Sequence, residues 1–207
     1  MPQTNNEPAL MLRYAISDRR LFPGGEQERK ERLILQAVAL AYEGVDFFQL
    51  REKDLDDAAL FALTTAVRDA VHATGTVMQV VLNGPRQLST RAGVGWHCTA
   101  GLLEQPSDST HCVSCSVHTL DEVEQQRTRA SLLLFAPVFD KTVASQPVQP
   151  GAGLEALARA VERARGTPVL ALGGVTLQNA PLCLASGAAG VAGIRLFLRA
   201  SRSQHSV

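Results

Sequence analysis

Net charge is the first thing this chain lacks. Twenty Lys and Arg are matched by twenty Asp and Glu among its 207 residues, so no overall field draws it to nucleic acid or to an anionic membrane. Any affinity for anions must be local. Long apolar runs are missing as well, none approaching the ~20 residues of a membrane span. The opening Met1-Pro2-Gln3-Thr4-Asn5-Asn6-Glu7 has neither the cationic nor the apolar region of a secretory signal, and a cytoplasmic address is expected. Cysteine is scarce, at four residues. Cys112-Val113-Ser114-Cys115 spells a CxxC, but in a strand-like run, where residues three apart face opposite sides and cannot close a chelate or an unstrained disulfide. Cys98 and Cys183 are isolated in the sequence, and all four read as buried cytosolic thiols rather than metal or redox groups.

What is present is an alternation. Apolar, strand-like runs occur at 12–16, 47–51, 77–82, 95–98, 112–117, 131–138, 168–172 and 189–194, and helical patterns fill most of the gaps. Residues 28–42 place Leu33, Ala37, Leu40 and Ala41 on one face; residues 56–73 do so with Leu60, Leu63, Val67 and Val71 behind Asp56 as N-cap. Thr119-Leu120-Asp121-Glu122 is a capping box, and further helices are expected over 154–165 and 177–186, the last ending at Gly187. Only one or two helical turns are expected in 85–91 and 100–108. Strands apolar on both faces and separated by helices predict a parallel sheet covered by helices. Eight of them favour a closed (β/α)8 TIM barrel over an open doubly wound sheet. Apolar content of 45% suits one compact α/β domain, expected over 10–200, with frayed tails at 1–9 and 201–207.

In such a barrel chemistry belongs where strands end. The second strand runs into Gln49-Leu50-Arg51-Glu52-Lys53-Asp54. Gln49 and Arg51 share a face in an extended strand, and Lys53 joins them if the strand continues. Two cations and an amide at one strand end suit a phosphate ligand. The alternative is that Arg51 and Lys53 are solvated and paired with Glu52 and Asp54. The third strand ends at Asn83-Gly84-Pro85, the fourth near His97, the fifth at Ser116-Val117-His118. The sixth enters a long loop from Asp140 to Gly153, expected to be a mobile lid. Gly173-Gly174 follows the seventh and Gly193-Ile194-Arg195 the eighth. Together with Gly153, these are candidates for a backbone phosphate site, an ordinary turn being the alternative for the glycine pair. His118 is the candidate for proton chemistry because an imidazole takes and returns a proton near neutrality; the alternative is a loop or capping hydrogen bond. His97 stays ambiguous, beside Trp96. His72 and His205 read as inert, and His111 as marking a strand entrance.

Tyr14-Ala15-Ile16-Ser17-Asp18, Gln49-Leu50-Arg51-Glu52-Lys53, Ser116-Val117-His118, Pro137-Val138-Phe139, Gly153-Leu154-Glu155, Ala171-Leu172-Gly173-Gly174-Val175 and Gly187-Ala188-Ala189-Gly190-Val191-Ala192 resemble, in order and spacing, the thiamine phosphate synthases and the related TenI-type thiazole tautomerases. The resemblance spans roughly residues 12 to 197. It implies a barrel, commonly paired as a homodimer, that binds thiazole phosphate at the rim with its phosphate over the glycines of the last strands. In the synthase it implies Mg²⁺-dependent coupling of a pyrimidine pyrophosphate to thiazole phosphate. Gln49, Arg51 and Lys53 would then grip the pyrophosphate, and Asn83 and Ser116 would meet substrate.

Departures from the synthase pattern point toward the tautomerase branch. Gly84 stands where the synthase has one metal-binding aspartate, and Thr99-Ala100-Gly101-Leu102 lacks the second. Lys141-Thr142-Val143-Ala144 does not match the synthase loop, and neither Asp54 nor Asp140 aligns with a metal ligand. The tautomerase resemblance makes His118 the acid–base residue of a reaction that needs no cofactor and aromatises a carboxythiazole phosphate. The Gln49-Leu50-Arg51-Glu52-Lys53 run keeps the synthase form, so Mg²⁺-dependent coupling stays open, as does a phosphate-binding protein without catalysis.

Overall fold

The computed structural model describes residues 11–98, 111–143 and 146–198, with 141–143 and 146–149 described by their backbone. The expected tails and the 100–108 segment lie outside these residues. Eight parallel strands close into a barrel: β1 (Leu12–Ile16), β2 (Phe47–Leu50), β3 (Gln79–Asn83), β4 (Gly95–Cys98), β5 (Val113–Val117), β6 (Leu132–Phe135), β9 (Val169–Leu172) and β10 (Gly190–Gly193), with β10 pairing back onto β1. Each strand was expected, though some were expected longer. Val77 is 93% exposed, so β3 begins at Gln79.

Alternation along the strands builds two cores. Tyr14, Ile16, Phe47, Val81, Leu132, Leu134, Leu170 and Ala192 fill the barrel. Their strand neighbours Ala15, Phe48, Leu50, Val80 and Leu82 face outward onto α1 (Glu26–Tyr42), α2 (Asp57–His72) and α3 (Arg86–Ala92). Val113, Cys115, Leu133, Phe135, Val169 and Val191 do the same beneath α4 (Leu120–Gln126), α5 (Gly153–Ala164) and α6 (Ala180–Ala185). Burial on both faces is why the strands read as continuous apolar runs.

The expected helix faces are the buried ones, including Leu33, Ala37, Leu40 and Ala41 of α1. Asp56 caps α2 by accepting from Ala59 N–H at 2.8 Å, and Thr119 and Glu122 form the capping box of α4. Helix α6 is shorter than expected because Asn179 Oδ1 accepts from Thr176 N–H at 2.8 Å in a preceding turn, and Pro181 stands in the first helical turn. The long connection after β6 is also not the simple loop expected. It carries an antiparallel hairpin, β7 (Lys141–Val143) with β8 (Gln146–Gln149), in which Pro147 opposes Thr142. A two-stranded ribbon has only edge strands, which tolerate a proline. Among the described residues no helix is long and apolar enough to cross a membrane.

Candidate active site

The end of β2 is where the sequence carries most chemistry. Gln49 shares the inward face of β2 with Phe47 and points into the barrel, 1% exposed. Among the described residues its Oε1 finds no donor, and a buried acceptor without a partner calls for an explanation, a ligand being one. The strand stops at Leu50, and Leu55 N–H donates to Glu52 C=O at 3.2 Å to close a turn. Lys53 is therefore exposed in that turn and does not continue the strand alternation as expected.

The two carboxylates expected as partners for Arg51 and Lys53 go elsewhere. Glu52 is buried and accepts from Arg19 Nη1 at 2.9 Å, while Asp54 accepts from Arg19 Nη1 at 2.7 Å and Nη2 at 2.9 Å. Among the described residues neither Arg51 nor Lys53 makes an ion pair. The Arg51 backbone N–H is tied to Ser17 Oγ at 2.9 Å. Its guanidinium lies within electrostatic reach of His97 and Asp18.

Arg51 follows Gln49 one pleat further, and Asn83, the last residue of β3, pairs with His97 of β4. His97 is 4% exposed inside the barrel. Its Nδ1 meets Ser114 Oγ at 2.8 Å and its Nε2 meets Ser116 Oγ at 3.0 Å. Ser114 also meets the Tyr14 hydroxyl, at 2.8 Å. A neutral imidazole donates from one nitrogen and accepts at the other, and two hydroxyls satisfy both. Burial, reinforced by the Arg51 cation, pushes the His97 pKa down to about 4. Its pairing with two inward-facing serines settles what the sequence left ambiguous. The available signal was parity: His97 lies two residues from Gly95 on a strand whose Trp96 faces out.

A folded pKa below the unfolded value of about 6.5 means that the unfolded chain binds the proton more readily. Stability from this group is complete above pH 6.5 and is lost as pH falls toward 4. Denaturant titrations at pH 7 and pH 5 are expected to differ by about 2 kcal/mol from this group. The same difference measured in His97→Asn should be smaller by that amount; an unchanged difference would rule out His97 as its source.

His118 follows β5 and is exposed. Its backbone N–H donates to Glu122 Oε2 at 2.5 Å, and its Nδ1 lies 2.6 Å from Ala136 C=O. A carbonyl only accepts, so Nδ1 carries a proton in this bond, and among the described residues Nε2 has no partner. The hydrogen bonds weighed against a catalytic role are thus present, and they leave the second nitrogen open.

The glycine rim is assembled in part. Pairing of Ala192 with Leu172 carries Gly193 beside Gly173. Gly173 and Gly174 have φ of 93° and 65°, and a Cβ on either would stand 2.7 Å from Pro137 or Phe139. Close passage of the chain after β6 therefore explains both glycines without a ligand. Ile194 is half-buried, and Arg195 is exposed at the start of a 3-10 turn. Gly153 does not belong with them as a donor: its N–H is given to Val138 C=O at 2.9 Å.

Cysteine placement needs one correction. Cys98 is not isolated but pairs in register with Cys115 on the outer face of the barrel. All four cysteines are buried and free.

The two carboxylates weighed for Mg²⁺, Asp54 and Asp140, are both engaged elsewhere. Mg²⁺ asks for one or two carboxylates beside substrate phosphates. Asp54 is held by Arg19, and Asp140 Oδ1 accepts from Gly151 N–H at 2.7 Å. Among the described residues no group of three or more His, Cys, Asp or Glu could hold a metal ion. The Thr99–Leu102 stretch weighed for the second aspartate lies outside them.

Comparison with known proteins places this arrangement in context. The chain matches the family described as thiamine monophosphate synthase over residues 14–197. A protein of Aquifex aeolicus (strain VF5) named "Putative thiamine-phosphate synthase 2" is 31% identical over 194 residues, 89% of this chain and 96% of its own. The "Thiamine-phosphate synthase" of Neisseria meningitidis serogroup B (strain ATCC BAA-335 / MC58) is 29% identical over 169 residues, 78% of this chain and 80% of its own. Among solved structures, thiamine phosphate pyrophosphorylase from Pyrococcus furiosus has the same fold, with a TM-score of 0.68 at 23% identity over 89% of this chain and 85% of the other.

Proposed function

Because the chain belongs to the thiamine monophosphate synthase family, we propose that it couples a pyrimidine carried on a diphosphate to a thiazole phosphate, releasing pyrophosphate. The observation that carries this reading is that, among the described residues, Arg51 and Lys53 at the end of β2 make no ion pair, Glu52 and Asp54 being held by Arg19, while Oε1 of buried Gln49 on the same strand has no partner. The carbon–oxygen bond to the diphosphate breaks with its electron pair going to the leaving oxygen. Charge developing there is stabilised by Arg51 and Lys53. The electron-poor methylene carbon then takes the lone pair of the thiazole nitrogen, forming the new carbon–nitrogen bond. Gln49, Asn83, neutral His97 and Ser116 supply polar groups for the pyrimidine ring, and Gly173, Gly174, Gly193, Ile194 and Arg195 form the wall for the thiazole's phosphate. No step is assigned to Mg²⁺.

This ordering reverses the preference drawn from the missing aspartates. The names of the relatives and the freed cations both support coupling. A second reading, the thiazole tautomerase, is favoured by one observation: His118 Nε2 is left open by the bond that fixes Nδ1. One imidazole accepting a proton at one carbon and returning it at another is sufficient for aromatisation.

A product assay separates the two. Purified protein is given carboxythiazole phosphate or its aromatic isomer with pyrimidine diphosphate, in Mg²⁺ or in EDTA. Thiamine phosphate is the expected result, and comparison of Mg²⁺ with EDTA shows whether the coupling needs the metal. Aromatised thiazole phosphate with no thiamine phosphate would hand the site to the second reading. His118→Ala is expected to leave coupling within a few fold; under the tautomerase reading it would remove roughly 10²–10⁴-fold of the rate.

A further inference from the structure

The Arg51-Glu52-Lys53-Asp54 run interleaves two cations with two anions, and neighbours of this kind neutralise one another unless something separates them. Arg19 does so. It lies in the 3-10 turn after β1, with its side chain buried. Its Nη1 donates to Glu52 and Asp54, its Nη2 completes a fork on Asp54, and its Nε donates to Glu26 at 2.8 Å. Its backbone N–H reaches both Glu52 carboxylate oxygens at 3.2 Å, and Ser17 Oγ donates to Glu52 Oε1 at 2.5 Å. The same serine oxygen accepts the Arg51 N–H, and Ser17 N–H donates to Gln49 C=O at 2.9 Å. One buried guanidinium thus gathers three carboxylates, two of them from the turn that presents Arg51 and Lys53.

We infer that Arg19 is a positioning residue that withholds Glu52 and Asp54 from Arg51 and Lys53 and so keeps the anion site at the end of β2 charged. The inference rests on the proposed diphosphate-binding role of those two cations. A planar fork suits the task, since a lysine ammonium at position 19 would hold Glu52 but could not also grip Asp54 through two parallel bonds. Freed carboxylates would turn to the nearest cations, which are their own sequence neighbours, and an anionic ligand would then have to displace them.

Calorimetric titration of the intact protein with inorganic pyrophosphate, in metal-free buffer of fixed ionic strength, tests this. Wild type is expected to bind, and Arg51→Ala to lose most of that affinity. Arg19→Met is expected to raise the Kd tenfold or more, and Arg19→Lys several-fold. The decisive variants add Asp54→Asn, which neutralises an exposed carboxylate without restoring any bond to residue 19. Arg19→Lys with Asp54→Asn is expected to return to within about twofold of wild type. If Arg19→Met fails to fold, the lysine pair alone decides the question. Absence of pyrophosphate binding in wild type, or binding unaffected by Arg51→Ala, would overturn the diphosphate reading itself. With those two controls as expected, a wild-type Kd in Arg19→Lys, or a weakened Kd that Asp54→Asn leaves unrescued, would overturn the role given to Arg19.

Discussion

Arg51→Ala is expected to lower kcat/KM for thiamine phosphate formation by about 10²–10³-fold, the scale on which removing one preorganised group that faces developing charge is felt. The reason is specific to this site. Glu52 and Asp54 are held by Arg19, so among the described residues the Arg51 guanidinium makes no ion pair, and Asp18 is the carboxylate within its electrostatic reach. Alanine keeps the backbone N–H that donates to Ser17 Oγ, so thermal stability should change little while activity collapses. The substitution also removes the cation that helps hold His97 deprotonated, and the His97 pKa should rise from about 4. Steady-state kinetics beside a melting curve check both halves. Activity within threefold of wild type would remove Arg51 from the reaction.

Gly190→Ala should have the largest effect on stability, about 3 kcal/mol or more in denaturant titration. Gly190 stands opposite Leu12 at the seam where β10 meets β1. A Cβ there would land on the Leu12 carbonyl oxygen, with the Leu12 carbonyl carbon at 2.7 Å and its Cα at 2.8 Å. These are backbone atoms of a barrel strand, and no rotamer change relieves them. Two strands would have to part, and their separation opens the barrel. Gly25→Ala is the control. Its Cβ meets nothing within 4 Å, and its φ of −75° suits any residue. Gly25 is the N-cap of α1, where alanine is modestly worse than glycine, so that variant should stay within about 1 kcal/mol of wild type. Equal stabilities for the two variants would mean that the seam can relax, contrary to the geometry.

The residues differ in how much of their role could be read ahead of the structure. Leu33, Ala37, Leu40 and Ala41 announce a buried helix face by spacing, and Asp56 and Thr119 announce helix starts by side-chain chemistry. Gln49 and Arg51 could be placed at a rim because an apolar run stops there. Cys112 and Cys115 face opposite sides of their strand region, as a period of two requires. Lys53 could not be placed, because a turn at Glu52–Leu55 breaks that period. The hairpin after β6 was hidden for the opposite reason: its strands are short and one contains a proline.

Periodicity along the chain was thus enough to determine eight strands and the faces of the main helices, since each depends on residues a few positions apart. Only the closed barrel decided which partners the charged and polar groups take. Arg19 and Glu52 are 33 residues apart, and Tyr14 and Ser114 are 100 apart. Nothing local distinguishes Glu52 as a partner of Arg51 from Glu52 as a partner of Arg19. The choice is made when β1 and β2 pair and bring a buried guanidinium to the carboxylates, where forked, charge-assisted bonds away from water outweigh an exposed contact between sequence neighbours.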